Sequence, residues 1–382
     1  MKVLVIGNGF DIAHELPTDY CSFICFLNNA KDKYDAWIRG NEKYYDRISS
    51  GMPTEYEDAK NPENWKVGDW LGIDSIFTDT AEKIKIVLLK TLGFSDISNM
   101  DTEELFRDDV FRKYNCIIIW FLVNSNRWYD YFLALRDNND KSWCDIENHI
   151  YEVIETFTKN DIADVDSSLF EDLRLDRNAS VDVISQCLYN ELRQLTDYLE
   201  IYLTIFEHVA KLIKTKLNMK TGYKYPQKDY IKAIRPDMIV SLNYTTIYPI
   251  IYDDPDTRIH FVHGQIGYDN MVFGIKSVGS GKYKDEVFKN FNKLSQIKKF
   301  GLDNAYNKEL CEKNNVEIHI FGCSLSPLDE HIFLPLLLGE NLLHCIIYCL
   351  EHEKNRIKSN VENLPGIMSR HDILKKIEYK TI

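Results

Sequence analysis

The chain has 382 residues, 45% hydrophobic and 13% aromatic, enough to bury one large core or two smaller ones and unlike a disordered segment. Its net charge of −13 gives no general attraction for phosphate backbones, which argues against nucleic acid as a partner. Nine scattered cysteines, an odd number with no Cys-x-x-Cys pair, argue against a zinc ribbon or a disulfide framework, so no metal and reduced thiols are expected.

The first stretch, Lys2-Val3-Leu4-Val5-Ile6, reads as a buried parallel strand, and Met1-Lys2 leads straight into it with no signal peptide. Gly7-Asn8-Gly9-Phe10-Asp11 follows. Two glycines allow a tight turn and close approach of a phosphate to main-chain N–H groups, or simply start a helix. A dehydrogenase fingerprint would carry its third glycine at position 12, which is Ile12. Asp11 either contacts a ribose or caps the helix. Pro17 closes a short loop before the apolar run Phe23–Leu27.

Residues 30–100 mix loop signals with one helical pattern, Thr78 to Leu92. Residues 103–136 read as one or two helices. The run Cys116 to Val123 inside them is the longest apolar stretch, far short of the ~20 residues a membrane span needs. A soluble, cytoplasmic protein with no membrane partner is therefore expected. Asp145 can cap the helix after Trp143, with Glu147 either in its first turn, favoured by the dipole, or pointing into a site. Residues 181–218 carry the longest helical periodicity, from Val183 through Leu192 and Leu199 to Leu212.

After Pro226 the pattern returns to short apolar strands: Met238–Leu242, Arg258–Val262, Met271–Phe273, Val316–Phe321 and His344–Tyr348, with a crossover helix over Leu328–Leu338. The predicted fold class is α/β. A Rossmann-like parallel sheet is built from residues 1–29 and 233–382, and a mostly helical insertion from 30–232. The strand ends carry the candidate chemistry: the glycine turn Gly7–Asp11, Asn243-Tyr244-Thr245, His263-Gly264 and Gly322-Cys323-Ser324 with Asp329 beyond. Ligands sit at such carboxyl ends in open parallel sheets. Taken singly, Asn243 is equally a turn residue and His263 a loop histidine.

Several of these blocks together resemble the AbiH family of bacteriophage abortive-infection proteins. They are Gly7–Asp11 with Leu16-Pro17-Thr18-x-Tyr20, Trp143-x-Asp145-x-Glu147, Asn243-Tyr244-Thr245, His263-Gly264, Phe291-x-Lys293-x-x-Gln296 and Phe321-Gly322-x-Ser324-Leu325 with Asp329. More distantly, their order is similar to that of sirtuins and sirtuin-like NAD-cleaving defence proteins. Those have a glycine turn, a catalytic Asn where Asn243 stands, a His-Gly where His263-Gly264 stands, and a Gly-x-Ser-Leu turn where Gly322–Leu325 stands. The chain departs from them at Thr245, where they have Asp, at Glu15, where they have Gly, and in lacking their zinc cysteines.

The resemblance implies an antiphage effector that binds NAD or a related nucleotide as substrate and cleaves its N-glycosidic bond. Asn243 would orient the ribose and a water, His263 would serve as base, and Glu147 would stabilise positive charge. Gly7, Asn8, Gly9, Phe10, Asp11, Tyr244, Gly322, Ser324 and Asp329 would hold the nucleotide. It also implies an off state released by a phage component, a regulatory protein or homo-oligomerisation. The alternatives are a non-catalytic nucleotide sensor, favoured by Thr245, and a nucleic-acid effector, for which no tight carboxylate cluster is visible.

Overall fold

The computed structural model describes residues 1–14, 16–40, 52–65, 109–138, 145–221, 228–276, 286–302, 305–326 and 329–382. They group into two compact units. One comprises Met1–Thr18, Ile150–Lys159 and Glu207–Ile382, the other Asp19–His149 and Asn160–Phe206.

The first unit is built on a six-stranded sheet whose strands are all parallel: β1 (Lys2–Ile6), β2 (Met238–Ser241), β3 (Arg258–Phe261), β4 (Val316–Phe321), β5 (Leu342–Cys349) and β6 (Ile377–Thr381). The spatial order is β3-β2-β1-β4-β5-β6, the doubly wound Rossmann order. β1 is central and buried on both faces, which is why it reads as an unbroken apolar run: Val3, Leu4 and Val5 have no exposure. Its alternate residues serve different layers. Val3 and Val5 join Met238, Val240, Ile318, Ile320, Cys345 and Ile347 in one core. The same core takes in Ile332, Phe333, Leu336 and Leu337 from the helix Glu330–Leu337, and Ile357 and Val361 from the helix Lys354–Glu362. Elsewhere in the unit, Phe10 meets Phe321 edge to face and Tyr230 stacks on Tyr348.

Parallel pairing sends the ends of β1, β2, β3 and β4 to one edge of the sheet. The chain leaves β1 towards β2 and β3 and returns across it to β4, so β1 and β4 flank the topological switch point. There two glycine turns touch through their backbones. Gly9 N–H donates to Gly322 O at 2.9 Å and Gly7 N–H to Phe321 O at 3.1 Å. Gly322 adopts φ +68°, and a Cβ on it would lie 2.2 Å from the Phe10 nitrogen; one on Gly9 would lie 2.7 Å from the Gly322 Cα.

The second unit is helical in its longer elements. It includes Tyr20–Gly40, Asp109–Asn124, Arg127–Asp137 and the first part of the 41-residue helix Val181–Thr221. Asn126 separates the second and third of these by accepting the Tyr129 N–H on its side chain. Phe121, Tyr129, Phe132, Trp128 and Tyr198 are fully buried in this unit, and Trp128 Nε1–H donates to Leu188 O at 2.9 Å.

Some expectations are corrected. Met271–Phe273 is buried but forms no strand. Its backbone is held by a side chain instead: Gln296 accepts from Phe273 N–H at 3.0 Å and donates to Phe273 O at 2.9 Å. Cys21 is disulfide-bonded, while the other seven described cysteines are free and two of them, Cys25 and Cys311, are exposed rather than core. The helical pattern at Thr78–Leu92 lies outside the described residues.

The glycine contact yields a stability contrast. Gly301 also has a left-handed backbone, φ +65°, but its Cβ position is open. Gly301→Ala should cost about 1 kcal/mol, the backbone penalty alone. Gly322→Ala adds a clash with backbone atoms and should cost more than about 3 kcal/mol. Urea unfolding of both variants checks this, and equal losses would show that the two turns do not depend on the contact.

Candidate functional site

Two clusters stand at the carboxyl edge of the sheet. The first is centred on Asp11, in the opening turns of the short helix Asn8–Ala13. Asp11 is not a helix cap. Its Oδ2 accepts from Thr18 Oγ1 at 2.9 Å and from Thr245 Oγ1 at 3.4 Å, while its Oδ1 is buried with no hydrogen-bond partner. Burial raises its pKa from 3.8 to about 7, opposed by the Thr18 and Thr245 hydroxyls and the neighbouring Asn243 side chain; the nearby Glu207 charge adds to the rise. Thr245 follows β2, so its hydroxyl rests on a carboxylate supplied from the end of β1.

Asn243, also beyond β2, donates Nδ2–H to Gly7 O at 3.1 Å and joins the two strand ends. Thr18 Oγ1 also reaches Asn8 Oδ1 at 3.1 Å. Glu207 accepts from Thr246 N–H at 2.6 Å and from Lys211 Nζ, and it supports the β2 turn from below.

The second cluster surrounds His263, after β3. Its Nε2 lies 3.4 Å from Asp329 Oδ1, and the same oxygen accepts from Lys293 Nζ at 2.9 Å. The Lys293 side chain is only 3% exposed. Burial alone would push Asp329 up, but the Lys293 ammonium and His263 outweigh it and hold the carboxyl well below the ordinary range. His331 belongs to the same group. Its ring centroid is 6.1 Å from that of His263, and burial, with His263 and Lys293 adding, lowers its pKa to about 4. Asp329 follows β4 and His263 follows β3, so the pair joins loops whose strands are separated in the sheet by β2 and β1.

The remaining candidates fall elsewhere. The Phe10 ring is fully buried against His14, Tyr248, Tyr252 and Phe321, as core. His14 is a structural histidine: Tyr252 Oη accepts from Lys228 N–H and faces His14 Nε2 at 2.9 Å, while His14 Nδ1 meets Phe10 O at 2.7 Å. Tyr244 Oη donates to Val272 O at 2.8 Å and braces the loop after His263. Ser324 is exposed, and its Oγ accepts from Ser326 N–H at 3.3 Å. Glu147 lies in the first turn of the helix Ile146–Lys159, where it accepts from Tyr20 Oη at 3.2 Å, and it belongs to the helical unit. Of the N–H groups expected to hold phosphate, those of Gly7 and Gly9 donate to the β4 end and that of Phe10 donates to Gly7 O at 2.8 Å.

His331 and Glu207 escaped the sequence reading. The Asp329-x-His331 spacing was the available signal for the first. Nothing local marks Glu207, whose contact with Thr246 spans 39 residues.

The raised pKa of Asp11 fixes a sign. A carboxyl whose folded pKa exceeds its unfolded value stabilises the fold at low pH, and that contribution is lost as pH rises from about 4 to about 7. Asp11→Asn should therefore have nearly wild-type stability at pH 5 and be more stable by about 1–3 kcal/mol at pH 8. Urea unfolding at the two pH values checks this; a variant that loses equal stability at both would contradict it.

The strand-end blocks extend through most of the chain, and so does its family. The family model described as "Bacteriophage abortive infection AbiH" matches residues 3–343, a span that holds both clusters and ends at the start of β5. No curated protein and no solved structure matches the chain. Among the described residues no helix is long and apolar enough to cross a membrane. With four of the six strands and the helical unit inside the match, the chain belongs to the AbiH family of bacteriophage abortive-infection proteins.

Proposed function

We propose that this abortive-infection protein acts by binding NAD or a related nucleotide at the carboxyl edge of its sheet and hydrolysing the N-glycosidic bond. Water adds to the ribose C1′, nicotinamide leaves with the bond's electron pair, and the products are nicotinamide, ADP-ribose and a proton. The reaction passes through a ribosyl cation and needs orientation and proton transfer more than covalent help.

The observation that carries this reading is the Asp11 carboxyl. It is buried, holds a proton near neutrality and keeps one oxygen without a partner, beside Asn243 and Thr245. A buried polar atom of this kind suits a ribose hydroxyl. Asn243, already anchored on Gly7 O, would orient that hydroxyl and the attacking water. His263 would take the proton, with Asp329 Oδ1 3.4 Å from its Nε2. The cell would need the activity silent until infection, through a phage-derived trigger, a regulatory protein or assembly of copies of the chain.

A second reading, a nucleotide sensor without turnover, draws on the engaged N–H groups of the glycine turn, which leave that turn less able to grip a pyrophosphate.

The test is release of nicotinamide from NAD by purified protein, alone and with lysate from phage-infected cells. Wild type should turn NAD over under at least one condition, and His263→Ala should be slower by a hundredfold or more, the usual size of a lost general base at ~10²–10⁴. Binding without turnover under both conditions, unchanged in His263→Ala, would favour the sensor.

A further inference from the structure

Two observations bear on where the negative charge of such a nucleotide would be met. In the Rossmann arrangement a pyrophosphate sits on the glycine turn after β1. Here the Gly7, Gly9 and Phe10 N–H groups donate within the protein, and the β1 and β4 turns are in backbone contact at that place. The second observation lies at the other end of the edge. The Nε2 atoms of both His263 and His331 are buried without a hydrogen-bond partner, and the two rings are 6.1 Å apart. The ammonium of Lys293, itself almost wholly buried, reaches the same carboxylate that His263 faces.

Buried imidazole nitrogens are normally hydrogen-bonded, so the His331 Nε2 calls for a partner beside His263. A lysine side chain is seldom this deeply buried.

We propose that Lys293 and His331, beside His263, form an anion-binding corner that takes the phosphate oxygens of the ligand; as an assignment of substrate contacts it rests on the nucleotide-binding reading above. Lys293 supplies a point charge and the His331 imidazole supplies an N–H donor. Asp329 sets the geometry. By holding Lys293 at 2.9 Å and standing 3.4 Å from His263 Nε2, it keeps the ammonium beside the rings. It also balances the lysine charge, so the corner by itself is close to neutral. The helix Lys293–Lys299 is anchored in turn by Gln296, whose side chain holds Phe273, one residue beyond the Val272 N–H that donates to His263 O at 2.7 Å. This gives the block Phe291-x-Lys293-x-x-Gln296 a joint purpose: Gln296 fixes the helix and Lys293 faces the site.

The test titrates inorganic pyrophosphate into the full-length protein while the histidine ring nitrogens are followed by NMR. The expected result is saturable shifts of His263 and His331, with binding weakened at least tenfold in His331→Gln and in Lys293→Met. Lys293 also counters a buried carboxylate, so its variant can fail to fold. His331→Gln keeps a polar side chain in place and carries the comparison alone if that happens. AMP should bind at least tenfold more tightly than adenosine to wild type, and this difference should vanish in His331→Gln. Absence of ring shifts, or equal pyrophosphate binding in wild type and His331→Gln, would overturn the proposal. NAD turnover without pyrophosphate binding would sink the anion corner and leave the proposed function standing. Pyrophosphate binding at these rings without NAD turnover would do the reverse.

Discussion

The close approach of Gly9 to Gly322 is the constraint on which the edge of this sheet depends. It brings the turn after β1 against the turn after β4, at a distance no side chain larger than hydrogen would allow. The turn after β1 then donates two hydrogen bonds, from Gly7 and Gly9 N–H, to the carbonyls of Phe321 and Gly322 at the end of β4. The short helix after Gly7 is thereby aimed so that Asp11 points towards Thr245 and Asn243 on the next strand end. The same contact engages the N–H groups that a glycine turn ordinarily offers to a phosphate.

A closed circuit of contacts holds the other side of the edge. The carbonyl of His263 takes the Val272 N–H, and the neighbouring Phe273 is clamped by Gln296. The helix bearing Gln296 carries Lys293, Lys293 binds Asp329, and Asp329 returns to His263. Apart from the 3.4 Å contact of Asp329 with His263, each link is a hydrogen bond or ion pair of a buried or partly buried group, where loss of one partner leaves the other uncompensated. Such a circuit fixes an imidazole in place without a metal ligand or a disulfide, and it joins loops that are distant in sequence.

Much of the sheet was legible because parallel strands buried on both faces are continuous apolar runs; β1 and β2 are of this kind, while β4 places Glu317 and His319 between its apolar residues. β6 was not read, because an edge strand with the sequence Ile-Glu-Tyr-Lys-Thr buries only part of one face. Met271–Phe273 imitated a strand because burial alone makes a segment apolar, whether its backbone pairs with a strand or with a glutamine side chain. At the site, Asn243, His263, Gly322 and Asp329 were legible as polar or small residues directly after apolar runs. What the glycines face was not legible, since the same spacing serves a ligand's approach or another backbone's. His331 and Glu207 were hidden for a different reason: their partners are brought to them only by the fold.

The most direct measurement of the central claim, that the carboxyl edge is the ligand site, is hydrogen–deuterium exchange of the protein with and without ADP-ribose. The account predicts added protection in the segments around residues 8–14, 242–246, 262–272 and 323–331, with the sheet strands themselves unchanged. Protection confined to other segments, or none at a concentration where binding is otherwise measured, would contradict it.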